Sequence, residues 1–371
     1  MPETARILSF PARTRRHELS RVDARDAAEL LLSSASSAWS EDGESEQLVE
    51  VLLAACNILR ERINSTPAEV GMSASALYAR LQETCPRLGL FDERHFLMGE
   101  LAWLAGNGCR LGGRREDAER WFDRSDSNFR HTVNPAPLLA RVSFSRLSLR
   151  YDMHRYDEVL EFLPSVSLSF EKLGMQLDLA KTRFLEALAL KESGRLDAAV
   201  EVLERLTVDS ALESEPGFLG MAFVNLGDLR AQDGDFEQAL TSYGRAHALL
   251  KNANHTYAIA HLRVSVADTL QRQGKNEAAI EAFRGAVASY AAIGMPTWEA
   301  YVRLFLAEAL LGAGRAREAE WEILAALPTI EDQQMVPEGF AAVALLRESV
   351  KQRKTDPKAL LELRQYLKAK N

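Results

Sequence analysis

The residues that could do chemistry are few and widely spaced. Seven histidines are present: His17, His95, His131, His154, His247, His255 and His261. None belongs to HExxH or an equivalent zinc pattern. His255 and His261 stand six apart, a spacing that does not share a helix face. Cys56, Cys85 and Cys109 form no CxxC pair, so they imply neither a disulfide framework nor a metal site. Each is expected to be a small buried residue in a reducing compartment. There is no GxxxxGK[ST] and no GxSxG. Gly106-Asn107-Gly108 and Gly112-Gly113 begin inside a helical pattern, which argues against a phosphate loop. The stretch Glu69–Leu81, with Gly71-Met72-Ser73 followed by Leu77-Tyr78, looks like the end of a helix-turn-helix that could enter DNA. Pro67 and a shortage of basic residues for phosphate contact weigh against that use. No catalytic residue, metal or cofactor is expected, and the chain is expected not to be an enzyme.

Residues without chemistry of their own must act as a surface, which turns attention to the elements that carry them. The chain has 371 residues, 47 % apolar and 26 % charged, enough for a large core or an extended array. Ala, Leu, Glu and Arg dominate, all of which favour helix, and no alternating Val/Ile/Thr run suggests a sheet. The net charge of −8 excludes nucleic-acid binding by bulk electrostatics. Arg6, Arg13, Arg15, Arg16 and Arg21 oppose only Glu3 and Glu18, so residues 1–18 read as a basic, disordered tail. No secretory signal is evident, and the apolar run Leu48–Leu59 is broken by Glu50 and Asn57. The expected place is the cytoplasm, with no membrane contact.

Internal repetition organises the rest. A Gly or turn-tolerant residue is followed five positions later by a small one: Gly113 by Ala118, His154 by Val159, Gly194 by Ala199 and Gly234 by Ala239. Gly274 leads to Ala279, Gly314 to Ala319 and Lys354 to Ala359. The small residues recur every 40 positions, with one step of 41. In step with them, twelve residues earlier, stand Gly106, Leu147, Ala187, Gly227, Ala267 and Ala307. Four residues later stand Phe122, Leu163, Leu203, Tyr243, Phe283, Ile323 and Leu363. Prolines at 135 or 137, 216, 296 and 337 mark helix starts.

This punctuation resembles the tetratricopeptide repeat, in a form longer than the usual 34 residues. The clearest copies are Asn225-Leu226-Gly227 … Gly234 … Ala239 … Tyr243 … Ala246 and Gly274 … Ala279 … Phe283 … Ala286. The resemblance implies an all-α, right-handed superhelical solenoid of helix-turn-helix repeats. Seven repeats are expected in 91–371, behind a helical bundle or degenerate capping repeats in 19–90. Helices are expected near 19–39, 45–63 and 67–84. Gly227 and its equivalents should meet the small residue of the second helix, Ala239, so that two backbones can approach.

The resemblance also implies a binding groove, lined by the first helix of each repeat. Carried over by position, it offers Trp103, Asn107 and Arg110, then Arg141, Phe144 and Tyr151, then Lys181, Phe184 and Lys191. Further along come Asp228, then His261, Asp268 and Gln271, then Tyr301 and Glu308. Trp103, Phe144 and Phe184 would form an aromatic column with basic neighbours, and Asp228, Asp268 and Glu308 an acidic one. The implied partner is a protein or peptide. In layout the chain also resembles bacterial Rap-type regulators, which implies a response regulator or signalling peptide as partner. A third expectation is a transcription regulator built on the Gly71 segment.

Overall fold

The computed structural model describes residues 45–63, 67–88, 91–331 and 357–370, and all regular structure among them is helical. Two compact units divide the chain after Ser193. The first holds α1 (Ser45–Arg62), α2 (Pro67–Leu88), α3 (Phe91–Leu111), α4 (Arg115–Phe129), α5 (Pro135–Asp152), α6 (Tyr156–Lys172) and α7 (Gln176–Glu192). The second holds α8 (Leu196–Leu206), a 3-10 turn at Ser210–Leu212, α9 (Pro216–Gln232), α10 (Phe236–Asn252) and α11 (Thr256–Arg272). It continues through α12 (Asn276–Ala292), α13 (Pro296–Gly312), α14 (Ala316–Glu331) and α15 (Pro357–Lys370). The tail, the expected helix near 19–39 and Pro337 lie outside the described residues.

Turn chemistry sets these boundaries. Pro135, Pro216 and Pro296 are first residues of α5, α9 and α13, where the missing N–H is no loss. Gly113, Gly194, Gly234, Gly274 and Gly314 all take positive φ between the paired helices, and His154 takes φ 57° in the same role. The N–H of the residue after the glycine then folds back, as in Arg114 N to Cys109 O (2.8 Å) and Arg315 N to Leu310 O (2.8 Å), closing the last turn. A second set recurs in step where one pair joins the next: Gly174, Asn254 and Gly294. Acidic side chains open the second helices at Glu116, Asp197, Glu277 and Glu318, next to the positive helix end. Asp235 caps α10 by accepting from Gln238 N at 3.1 Å.

Within each unit a helix packs mainly on its neighbours in sequence. The repeated small residues Ala118, Val159, Ala199, Ala239, Ala279 and Ala319 are fully buried. The partner of the glycine differs from expectation. A Cβ at Gly227 would come within 2.4 Å of the Tyr243 ring, and one at Gly106 within 2.6 Å of the Phe122 ring. One heptad back, Gly99 receives Phe129 and Gly220 receives Leu250. So the small residue of the first helix makes room for the large residue of the second, not for Ala239. The antiparallel pairing puts these residues at one level, and a ring needs the space a Cβ would fill.

The segment around Gly71 is also corrected. Pro67–Leu88 is one continuous helix with no turn at Gly71-Met72-Ser73. Gly71 is buried and crosses Gly108 so closely that a Cβ there would lie 2.6 Å from Gly71 Cα. Both glycines therefore serve a helix crossing, and the helix-turn-helix reading falls with the missing turn. Cys56 and Cys109 are buried free thiols.

Candidate functional site

Positions on the first helices that should line the groove carry polar side chains, several of them buried. In unit 1 they form a ladder between α3 and α5. Trp103 Nε1 donates to Ser145 Oγ at 2.8 Å, and Asn107 Nδ2 donates to the same oxygen at 3.3 Å. Arg110 Nη1 reaches Asp152 at 2.6 Å and its Nε reaches Asn107 at 3.4 Å. Arg141 lies 4.4 Å over the Trp103 ring and pairs with Glu100 at 3.0 Å. Glu100 is buried, at 1 % exposure, and Arg60 of α1 pairs with its other oxygen. Removing a partner from such a buried carboxylate is strongly destabilising.

Arg110 and Arg141 thus reach this surface already paired, Arg110 with Asp152 and Arg141 sharing Glu100 with Arg60. Lys191 lies 3.9 Å from Glu192. Lys181 and Phe184 are half-buried on α7. Phe144 packs at 6.4 Å from the Phe170 ring, and Tyr151 at 5.4 Å from Tyr156. Burial, then the field of Glu192, holds the Tyr151 hydroxyl protonated well above its usual range. These aromatic residues are edges of the core as much as a surface.

In unit 2, Asp228, Asp268 and Glu308 are each engaged differently. Asp228 accepts from Tyr243 OH at 2.8 Å. Burial first, then the Asp228 charge, pushes the Tyr243 phenol well above its ordinary value. Asp268 pairs with Arg272 of its own helix at 2.8 Å. Glu308 pairs with Arg364 of α15. His261 and Gln271 are half-buried on α11. Tyr301 meets Phe305 edge-on at 4.9 Å and Trp298 at 6.0 Å.

Two members of this site were not legible in the sequence. Phe305 lies three residues before Glu308, and the Arg364 guanidinium carbon stands 3.4 Å from its ring centroid, a cation–π geometry. Burial pushes the Arg364 guanidinium below its usual range, while Tyr301 and Asp268 pull it back up. No pattern in the repeat predicts that the last helix turns a charged residue towards α13.

A second concavity lies among α10, α11 and α12, lined by Leu240, Tyr243, Gly244, Leu262, Val266, Ala282 and Gly285, with a volume of about 470 Å³. Among the described residues no three His, Cys, Asp or Glu side chains gather as a metal would require. No helix among them is long and apolar enough to cross a membrane.

No family model matches the chain, and no curated protein matches it in sequence. Solved structures do. A Rap protein complexed with competence and sporulation factor is 14 % identical, with 94 % of this chain and 99 % of that one covered at a TM-score of 0.55. Apo RapI is 12 % identical over 69 % of this chain and 90 % of that one, at 0.54. A STAND signal-transduction ATPase with a tetratricopeptide repeat sensor, from Pyrococcus horikoshii, is 12 % identical over 86 % of this chain and 53 % of that one, at 0.54. At such identities the likeness is one of fold. The chain has an all-α tetratricopeptide-like repeat fold, with a layout resembling Rap proteins.

Proposed function

We propose that the protein is a non-enzymatic scaffold that binds a protein or peptide on the inner-face positions of its first helices. The observation that carries this is a division of labour along the repeat. Gly227, Ala267, Ala307 and their partners Tyr243, Phe283 and Ile323 are buried in the seams. Asp228, Asp268 and Glu308, the very next residues, stay half-exposed, and Tyr301 and Phe305 on the same helix as Glu308 are half-buried. Helical arrays bind polypeptides through side-chain anchors and polar ladders of this kind. Residues 91–371 are read as seven such repeats and 19–90 as their helical cap. The buried free thiols suit a cytoplasmic setting.

The test starts from a displayed library of random peptides selected on the purified chain. The best binder is then measured by fluorescence anisotropy against Asp228→Lys, Asp268→Lys and Glu308→Lys combined. At least a tenfold loss with unchanged helical content is expected, with a weaker salt dependence. Unchanged binding would move the docking surface elsewhere. No enriched peptide would reject the scaffold.

A second reading is a signalling regulator of Rap type, which would bind a response regulator or a signalling peptide. The likeness to a Rap protein over 94 % of the chain, extending ahead of the repeats, favours it. Gln47 stands on α1 in that leading region. Dephosphorylation of a phosphorylated response-regulator domain, lost in Gln47→Ala, would place the protein here and end the non-enzymatic assignment.

A further inference from the structure

We propose that Tyr301, Phe305 and Glu308 of α13, with Asp268 of α11, form an arginine subsite for basic helical polypeptides, which α15 fills with its own Arg364 and vacates when such a partner docks. The inference deepens the polypeptide-binding reading and rests on it.

Register shows that α15 does not behave like the other second helices. Asp123, Pro164, Glu204, Gly244, Arg284 and Leu324 occupy the position equivalent to Arg364 in their repeats; five are exposed, and the side chain of the one other arginine, Arg284, is 39 % exposed. The Arg364 side chain is only 15 % exposed. Leu360 and Leu363 are fully buried in the same cluster as Leu304 and Ala307, while Leu361 and Glu362 face outward. α15 therefore buries the stripe Leu360, Leu363 and Arg364, and it packs on α13. That is how an amphipathic helix docks on a surface.

The subsite matches guanidinium chemistry. Phe305 offers a π-face and Glu308 a carboxylate, while the Asp268 charge, itself paired with Arg272, adds a weaker pull that Arg272 opposes. A planar cation that is weakly hydrated gains from such a setting more than an ammonium does. α15 also carries Lys358, Lys368 and Lys370 against the single Glu362. The partner chemistry follows: a basic amphipathic helix with leucines one and four residues before an arginine. Exchange is feasible because the partner would replace each contact in kind.

The experiment uses the full chain and a labelled synthetic peptide of residues 357–370. The peptide should bind the wild-type chain weakly and the Arg364→Glu chain at least tenfold more tightly. Hydrogen exchange within 357–370 should quicken in Arg364→Glu and, to a lesser degree, in Arg364→Ala. A peptide carrying Arg364→Ala should lose at least tenfold, and adding Glu308→Lys to the opened chain should abolish binding. If exchange in 357–370 stays slow in both variants, α15 is a permanent cap and the proposal fails. It fails also if the opened chain takes no peptide. Should the opened chain bind its own peptide while no library peptide is ever selected, the subsite stands and the scaffold reading falls.

Discussion

At the scale of single residues, Gly227 is defined by the ring opposite. Tyr243 cannot retreat from an added methyl, because its hydroxyl is held by Asp228 at 2.8 Å. Gly227→Ala should therefore cost about 1–3 kcal/mol by overpacking. Gly244 lies within α10 with nothing near its missing Cβ. Gly244→Ala should stabilise by roughly 0.5–1 kcal/mol, through helix propensity alone. Thermal melts of the two variants should move in opposite directions. Equal shifts would show that the ring contact is not what demands glycine.

Glu100 gives a second contrast at this scale. Removing Arg60 and Arg141 together to Ala strands a buried carboxylate, which should cost about 3–5 kcal/mol. Glu100→Gln leaves two arginines that are 40 % and 25 % exposed. They can turn to water, so that change should cost clearly less. Urea midpoints of the two variants decide the order.

At the scale of elements, the helix ends follow from backbone handedness. His154 holds φ 57° where the equivalent residues of the other described repeats, Gly113, Gly194, Gly234, Gly274 and Gly314, are glycine. A non-glycine residue there carries roughly 1–2 kcal/mol of strain. His154 recovers part of it through its 2.7 Å contact with Tyr156 OH. His154→Gly should thus raise stability by less than about 1 kcal/mol, while Gly234→Ala, at φ 86°, should lower it by about 1–2 kcal/mol. A denaturant series on both variants checks this. The same logic made the ends of α3, α7, α9, α11 and α13 readable in advance, since Gly113, Gly194, Gly234, Gly274 and Gly314 stand in register with the 40-residue repeat. It could not reveal what the first-helix glycines face. Side chains at one level of an antiparallel pair are brought together by packing, and Gly227 stands 16 residues from Tyr243.

At the scale of the molecule, each helix leans on its sequence neighbours, so disturbance should stay local. Hydrogen exchange in Gly227→Ala should quicken through α9 and α10 and their neighbours, and remain unchanged in α3 to α5. Uniform loss of protection would mean that the chain opens as one cooperative body.

Sequence by itself determined the all-α class, the 40-residue period, the starts of seven second helices and the buried seam. Those features depend on local rules: where a proline fits, where only left-handed backbone ends a helix, and which face every fourth or seventh residue shares. What the tertiary structure decided was the state of each charge. Arg110 reads as a free cation until Asp152, 42 residues on, is seen beside it. Glu308 reads as an open acidic position until α15 brings Arg364 to it. The Gly71 turn vanishes once Gly108 is seen to need a close crossing. In each case the deciding partner is distant in sequence. Coulomb attraction and close packing depend on separation in space, and no period in the chain encodes that.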